Sequence, residues 1–97
     1  MRDIQFRPEV ADDLRHAVDW YDAKRTGLGN EFIAEYWLAI ERLTYHPLAY
    51  GVTHAGLRAC RLARFPYLVH YRCNEEVILV VAVMYGGRDT PTWIDRA

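Results

Sequence analysis

The fold of this chain is decided by two apolar runs, Tyr67-Leu-Val-His-Tyr-Arg-Cys73 and Val77-Ile-Leu-Val-Val-Ala-Val-Met-Tyr85, which Asn74-Glu-Glu76 joins. Two short runs rich in β-branched and aromatic residues around a polar turn predict an antiparallel β-hairpin. The second run is apolar on both faces, so we expect it to be the central and most buried strand of a sheet. A further strand is predicted over residues 58–64, and residues 50–54 suit a short edge strand.

Before these runs the sequence predicts one more strand and then two helices. Residues 3–6 alternate polar and apolar side chains, which predicts a first strand. A first helix then starts at Pro8 and ends near Arg25, where glycines interrupt the pattern; its apolar face is Val10, Leu14, Ala17, Val18 and Tyr21. A second helix, capped by Asn30 and closed by Pro47, carries the apolar stripe Phe32, Ile33, Tyr36, Ile40 and Leu43, with Trp37 at its edge.

This order predicts an α+β fold, β-αα-βββ, in which a helical hairpin packs on a mostly antiparallel sheet. A length of 97 residues fits one domain over residues 1–97. We expect one core shared by both helices and the C-terminal sheet, with seven residues largely buried: Leu14, Val18, Phe32, Ile40, Leu43, Val81 and Val83. One helical turn is predicted in the tail, residues 88–96.

Charge and composition argue against several classes of function. The formal net charge of −1 argues against a protein that coats nucleic acid without specificity. Residues 1–50 hold 6 Lys and Arg against 9 Asp and Glu, whereas residues 51–97 hold 6 Arg against 4 Asp and Glu. The two cysteines and four histidines have no metal-ligand spacing, so we expect neither metal nor cofactor. The chain shows no signal peptide and no membrane-length apolar run, so we expect a cytoplasmic protein that does not bind membranes.

Several motifs, in this order, resemble the RelE/ParE superfamily of toxins from type II toxin–antitoxin systems. Phe6-x-Pro-Glu-Val-Ala-x-Asp-Leu14 followed by Trp20-Tyr21 is similar to the first strand and helix of that family. Gly27-Leu-Gly-Asn-Glu-Phe32 resembles its bend into the second helix, and His46-Pro47 the exit. The remaining similarity lies in Arg58, Phe65-Pro-Tyr67, Tyr71, Ala82-Val83 and Arg88-Asp-Thr-Pro-Thr-Trp93.

The resemblance implies a growth-inhibiting toxin that a cognate antitoxin holds inactive. Within the superfamily, RelE-like members cleave mRNA on the ribosome and ParE-like members inhibit DNA gyrase. Tyr85 stands where many members carry a histidine, and a phenol is a poorer proton shuttle than an imidazole at neutral pH. Tyr85 and the net charge of −1, which gives little attraction to the anionic ribosome, favour the noncatalytic gyrase inhibitor. The ribosome-dependent mRNA endoribonuclease stays the alternative.

The candidate site residues are mostly arginines. Arginine binds phosphates and carboxylates with a planar fork, so we expect target contacts from Arg58, Arg64, Arg72 and Arg88. If the chain cleaves RNA, its catalytic candidates are Tyr85, Arg88, Arg58 and Arg64, with His70 beside Arg72 as a weaker one. Large apolar side chains suited to the antitoxin are Trp20, Leu28 and Trp37.

A third hypothesis is a nucleic-acid-binding module without toxicity. Tyr67 and Tyr71 share one face of a predicted strand, where aromatic side chains can stack on bases. The same residues also suit the core beneath the helical hairpin, so their solvent exposure distinguishes the two interpretations.

Overall fold

The computed structural model of the chain describes residues 2–53 and 55–86. Its elements follow the predicted order: β1 Asp3–Phe6, α1 Glu9–Lys24, α2 Leu28–Tyr45, β2 Arg58–Arg61, β3 Tyr67–Cys73 and β4 Val77–Tyr85. The strands form one sheet in the order β1-β4-β3-β2. Only the β1–β4 pair is parallel, so the sheet is mixed and β4 is a central strand, as predicted.

The helical hairpin is held at its bend by a glycine and an aspartate. α2 begins at Leu28, because Gly27 adopts a left-handed conformation (φ 91°) that turns the chain directly into the helix. The prediction of Asn30 as the cap was therefore wrong. The backbone N–H of Gly29 donates instead to Oδ1 of Asp22 at 2.8 Å, so a side chain of α1 satisfies an amide in the first turn of α2.

The main core lies between the helices and one face of the sheet. Five of the seven predicted core residues are buried, but Leu14 and Val18 are only half-buried and pack at the margin of the core. The buried stripe of α1 instead runs through Val10, Asp13 and Ala17. The side of α1 that faces the core is therefore turned away from the apolar face that the sequence predicts.

A β-bulge changes which side chains of β4 face the helices. His70 pairs with Ala82 and Tyr71 with Val80, so Val81 is an extra residue in β4. Val80 and Val83 belong to the main core, whereas Val81 and Ala82 pack with Leu57 in a second buried cluster. The prediction that Val81 shares the main core was wrong, because strict alternation along β4 breaks at the bulge.

The segments before and after β2 differ from the predicted strands. β2 ends at Arg61, and Arg64 lies in the following turn with a φ of 70°, which no β-strand allows. Instead of an edge strand over residues 50–54, Val52 makes one isolated bridge to Arg58. His54 and the predicted helical turn of residues 88–96 lie outside the described residues. Neither α1 nor α2 is long and apolar enough to cross a membrane.

Candidate functional site

Arg58 connects β2 to the loop that follows α2. Its Nη1 donates to the backbone oxygen of Tyr50 at 2.6 Å. In the β2–β3 register it stands opposite Tyr71, a fully buried side chain whose hydroxyl donates to the backbone oxygen of Pro47 at 2.5 Å. Burial raises the pKa of Tyr71 to about 12. Arg58 and Tyr71 together fasten this loop to the sheet.

Arg64 pairs with a carboxylate of α2. Its Nη2 lies 2.5 Å from Oε1 of Glu31, and Nη2 of Arg25 lies 3.0 Å from Oε2 of the same carboxylate. The hydrogen bond from Arg64, followed by that from Arg25, holds the pKa of Glu31 below its ordinary value. Glu31 therefore ties the β2–β3 turn to the bend between the helices.

Arg72 lies on the sheet face that points away from the helices. Alternation along β3 places it on the same face as His70, which is buried, while Arg72 itself is exposed. Arg61 shares this face, since it pairs with Leu68. The structure thus places Arg58, Arg64 and Arg72 in three separate environments, and Arg88 lies outside the described residues; their role in target binding stays a prediction.

Tyr85 ends β4 beside an aromatic cluster. It pairs with Tyr67, and their ring centroids are 6.0 Å apart. Tyr67 packs edge-on against Phe32 at 5.0 Å, and Tyr21 packs edge-on against Phe65 at 4.9 Å. Burial, and then the nearby phenols of Tyr67 and Tyr85, raise the pKa of Tyr21. Tyr85 itself is 49% exposed, so it is the accessible member of the cluster.

The stacking surface proposed for Tyr67 and Tyr71 does not exist in the folded chain. Tyr71 is fully buried, and Tyr67 is partly buried against the main core. Both side chains face the helices, so Tyr71 offers no surface to a base and Tyr67 offers only the edge that is not packed on the core. The hypothesis of a base-stacking module on these tyrosines was therefore wrong.

A cleft of about 530 Å³ lies between α1 and the C-terminal half of β4. We call it the α1–β4 cleft. Asp13 lies at its base, where Oδ2 accepts the backbone N–H of Val83 at 3.0 Å. It is lined by Glu9, Asp12, Asp13, His16, Ala17, Trp20, Tyr67, Val83, Met84 and Tyr85.

The three residues predicted to bind the antitoxin lie in different places. Trp20 opens onto the α1–β4 cleft and is 58% exposed. Trp37 is 54% exposed and packs edge-on against Phe6, with ring centroids 6.2 Å apart. Leu28 is half-buried against the main core. Their contact with an antitoxin stays a prediction.

Trp37 and Phe6 border a second concavity, which we call the Trp37 groove. It has a volume of about 310 Å³ and is lined almost entirely by apolar atoms. Its walls come from the end of β1, the connection to α1, the first half of α1 and the middle of α2: Phe6, Arg7, Pro8, Val10, Ala11, Leu14, Tyr36 and Trp37. An exposed apolar groove of this kind is typical of a surface that another polypeptide covers.

The arrangement of these side chains favours binding over acid–base chemistry. Among residues 2–53 and 55–86, Arg58 and Arg64 donate to a backbone carbonyl and to a carboxylate, and neither lies beside Tyr85 or His70 in the sheet register. RNA cleavage requires phosphate-binding and proton-transferring groups around one reacting atom. In that same part of the chain, no three His, Cys, Asp or Glu side chains are grouped to hold a metal ion.

Two residues beyond the sequence-based candidates contribute to these surfaces. The first is Asp13, whose partner Val83 lies 70 positions away in the sequence. The second is Arg61, the last residue of β2. One of its guanidinium nitrogens lies 3.6 Å from where a Cβ on Gly86 would stand, so it approaches the end of β4. Only the register of β2, β3 and β4 reveals that proximity.

Comparisons with known proteins agree with this geometry. The chain matches a structure of a chromosomal ParDE TA system from P. aeruginosa with a TM-score of 0.77 and 17% sequence identity. The match covers 88% of this chain and 96% of that chain, which shows a common fold. A search of curated proteins found no match.

The family model described as the ParE toxin of the type II toxin–antitoxin system parDE matches residues 4–90. This stretch includes both helices, β2, β3 and β4, and all of β1 except its first residue, Asp3. The chain therefore belongs to the ParE toxin family of type II toxin–antitoxin systems.

Proposed function

We propose that this chain is a growth-inhibiting toxin that binds DNA gyrase in the cytoplasm without catalysing a reaction, and that a cognate antitoxin holds it inactive. The observation that carries the proposal is the separation of the arginines. In the described residues, Arg58 at the start of β2 donates to a backbone carbonyl, and Arg64 in the turn after β2 donates to a carboxylate of α2. Arg72 lies on the outer face of the sheet. A nuclease needs its phosphate-binding groups close together around the reacting phosphate. A noncatalytic inhibitor can bind its target with arginines that lie far apart.

One observation favours the alternative, a ribosome-dependent mRNA endoribonuclease. Tyr85 is accessible, and Arg61 approaches Gly86, the residue that follows it. A phenol with a guanidinium nearby supplies a proton donor and a positive charge for a phosphate. The two functions therefore differ in what they require of the hydroxyl of Tyr85.

Paired assays of a Tyr85→Phe variant test the proposal. Wild type and variant are each expressed in cells, where growth is followed and mRNA 5′ ends are mapped by primer extension. Each purified protein is also added to purified gyrase, and DNA supercoiling is measured. We expect both proteins to stop growth and to inhibit supercoiling to a similar extent, because no proton is transferred. Tyr45→Phe is the matched control, since Tyr45 is an exposed tyrosine at the end of α2.

Codon-positioned cuts in mRNA, with supercoiling unaffected, would overturn the gyrase proposal. In that case Tyr85→Phe should reduce the cleavage rate by about 10²-fold to 10⁴-fold, the usual contribution of a general acid or base. Growth that continues in the presence of folded wild-type protein would overturn the toxin proposal itself.

The antitoxin is proposed to cover the apolar surface of the hairpin. Trp20 and Trp37 expose more than half of their surface, and Trp37 borders the apolar groove. Leu28 is half-buried and offers less area. We expect Trp37→Ala to weaken antitoxin binding by more than Leu48→Ala, a truncation of another exposed apolar side chain, which follows α2.

A further inference from the structure

The α1–β4 cleft is an acidic concave surface. Three carboxylates line it, from Glu9, Asp12 and Asp13, and among residues 2–53 and 55–86 no arginine or lysine lines it. Asp12 forms an ion pair with Arg15 outside the cleft, and Asp13 accepts the N–H of Val83. Glu9 contributes a third carboxylate, from the first turn of α1.

Aromatic rings form the rest of the cleft wall. Trp20 and Tyr85 are both about half exposed there, at 58% and 49%. Faces of tryptophan and tyrosine rings attract cations, most strongly when water is displaced. The chain itself demonstrates this at Trp20, since Nζ of Lys24 lies 4.1 Å from the centroid of its ring. Carboxylates and exposed aromatic rings together make a surface that selects positively charged side chains.

We infer that the α1–β4 cleft binds an arginine or lysine side chain of the antitoxin, so that this partner covers Trp20, Tyr85 and the acidic start of α1. This inference rests on the proposed function, which supplies the antitoxin as the partner. Charge complementarity identifies the occupant: a surface with three carboxylates repels DNA and RNA phosphates and attracts a basic segment of a protein.

The position of the cleft explains how an occupant would block the toxin. In the described part of the chain, β1 pairs with β4 only as far as Val80, so α1 and Asp13 flank the rest of that edge. Tyr85, at the end of β4, forms part of the cleft wall. A side chain bound in the cleft therefore covers Tyr85 and the end of the sheet at the same time.

The test uses the full-length toxin and the protein encoded by the open reading frame beside the toxin gene. The dissociation constant of the two proteins is measured by titration over a range of NaCl concentrations, for wild type and for the Glu9→Gln/Asp12→Asn variant. The matched control is Glu41→Gln/Glu75→Gln, which removes two exposed carboxylates, one from α2 and one from the β3–β4 turn.

We expect the cleft variant to bind about tenfold more weakly at low salt, with a smaller dependence of affinity on NaCl, since it lacks two attractive charges. The control variant should bind like wild type at every salt concentration. Thermal unfolding followed by circular dichroism verifies that each variant is folded. If the double variant does not fold, the single Glu9→Gln variant carries the test with the same expected direction.

Failure of the cleft inference and failure of the proposed function give different results. Unchanged or tighter binding by a folded cleft variant overturns the cleft inference, while growth inhibition by the wild type leaves the proposed function intact. A wild-type chain that neither stops growth nor binds the neighbouring protein overturns the proposed function, whatever the cleft variant does.

Discussion

The carboxylate of Asp13 in α1 accepts the backbone N–H of Val83 in β4, with 3.0 Å between Oδ2 and the nitrogen. Strand β1 accompanies β4 only to Val80, so at Val83 the side chain of a helix takes the place of a neighbouring strand. The contact lies within a buried region, where a polar group without a partner is costly. It therefore anchors α1 to the sheet beyond the end of β1.

We expect Asp13→Ala to lower the free energy of unfolding by about 1–3 kcal/mol, because it leaves the buried N–H of Val83 without this acceptor. Asp13→Asn should cost less, since an amide oxygen can still accept the hydrogen bond. Urea unfolding at neutral pH measures both values. Equal losses for the two variants would show that the charge of Asp13, and not its hydrogen bond, stabilises the fold.

Core truncations should rank by burial. Ile40 is 6% exposed, so Ile40→Ala is expected to cost about 2–5 kcal/mol. Leu14 is half-buried at the wall of the Trp37 groove, so Leu14→Ala should cost clearly less. The midpoints of chemical unfolding give the comparison. A larger loss for Leu14→Ala would mean that the orientation of α1 is wrong.

Close packing of the helices at Gly29 predicts a steric effect. A Cβ at this position would stand 2.7 Å from Cγ1 of Val18 and 2.9 Å from Cγ of Asp22. We therefore expect Gly29→Ala to destabilise the protein by about 1–3 kcal/mol, although alanine favours helices. Gly51→Ala is the control, since a Cβ there meets no atom within 4 Å. Thermal unfolding of the two variants should differ in this direction.

Alkaline unfolding should depend on Tyr71. Its pKa lies at about 12 in the folded chain, above the ordinary value of 10.0. Below pH 10 the hydroxyl is protonated in both states and its full contribution to stability is present. Between pH 10 and 12 the unfolded chain loses the proton first, so stability falls as pH rises. Tyr71→Phe should flatten this part of the urea-midpoint curve; an unchanged slope would assign the effect to other groups.

The carboxylate of Glu31 gives a prediction for acidic pH. Hydrogen bonds from Arg64 and Arg25 lower its pKa, so this contribution to stability is present above the ordinary pKa and lost as pH falls through the lowered value. We expect the pKa of Glu31, followed by NMR titration, to rise more in Arg64→Ala than in Arg25→Ala, because the bond from Arg64 is the stronger influence. The reverse order would contradict the geometry of the pair.

The sequence was sufficient to predict the elements whose signals are local. The polar turn at Asn74 and the apolar runs around it defined β3 and β4, with bounds that agree with the structure. Three features depended on distant neighbours: the bulge that turns Val81 away from the main core, the bond of Asp13 to Val83, and the pairing of Arg64 with Glu31. Alternation and helical spacing describe one element at a time, so they could not reveal these contacts.

The parallel pairing of β1 with β4 joins the first strand of the described residues to the last one. During synthesis the N-terminal segments leave the ribosome first, yet β1 then has no strand beside it and α1 has no Val83 amide to bind. The two helices can form early, since their contacts are local, whereas the sheet must wait for β4. The sheet can therefore be completed only after β4 has been synthesised, because β4 is the strand that joins β1 to β3.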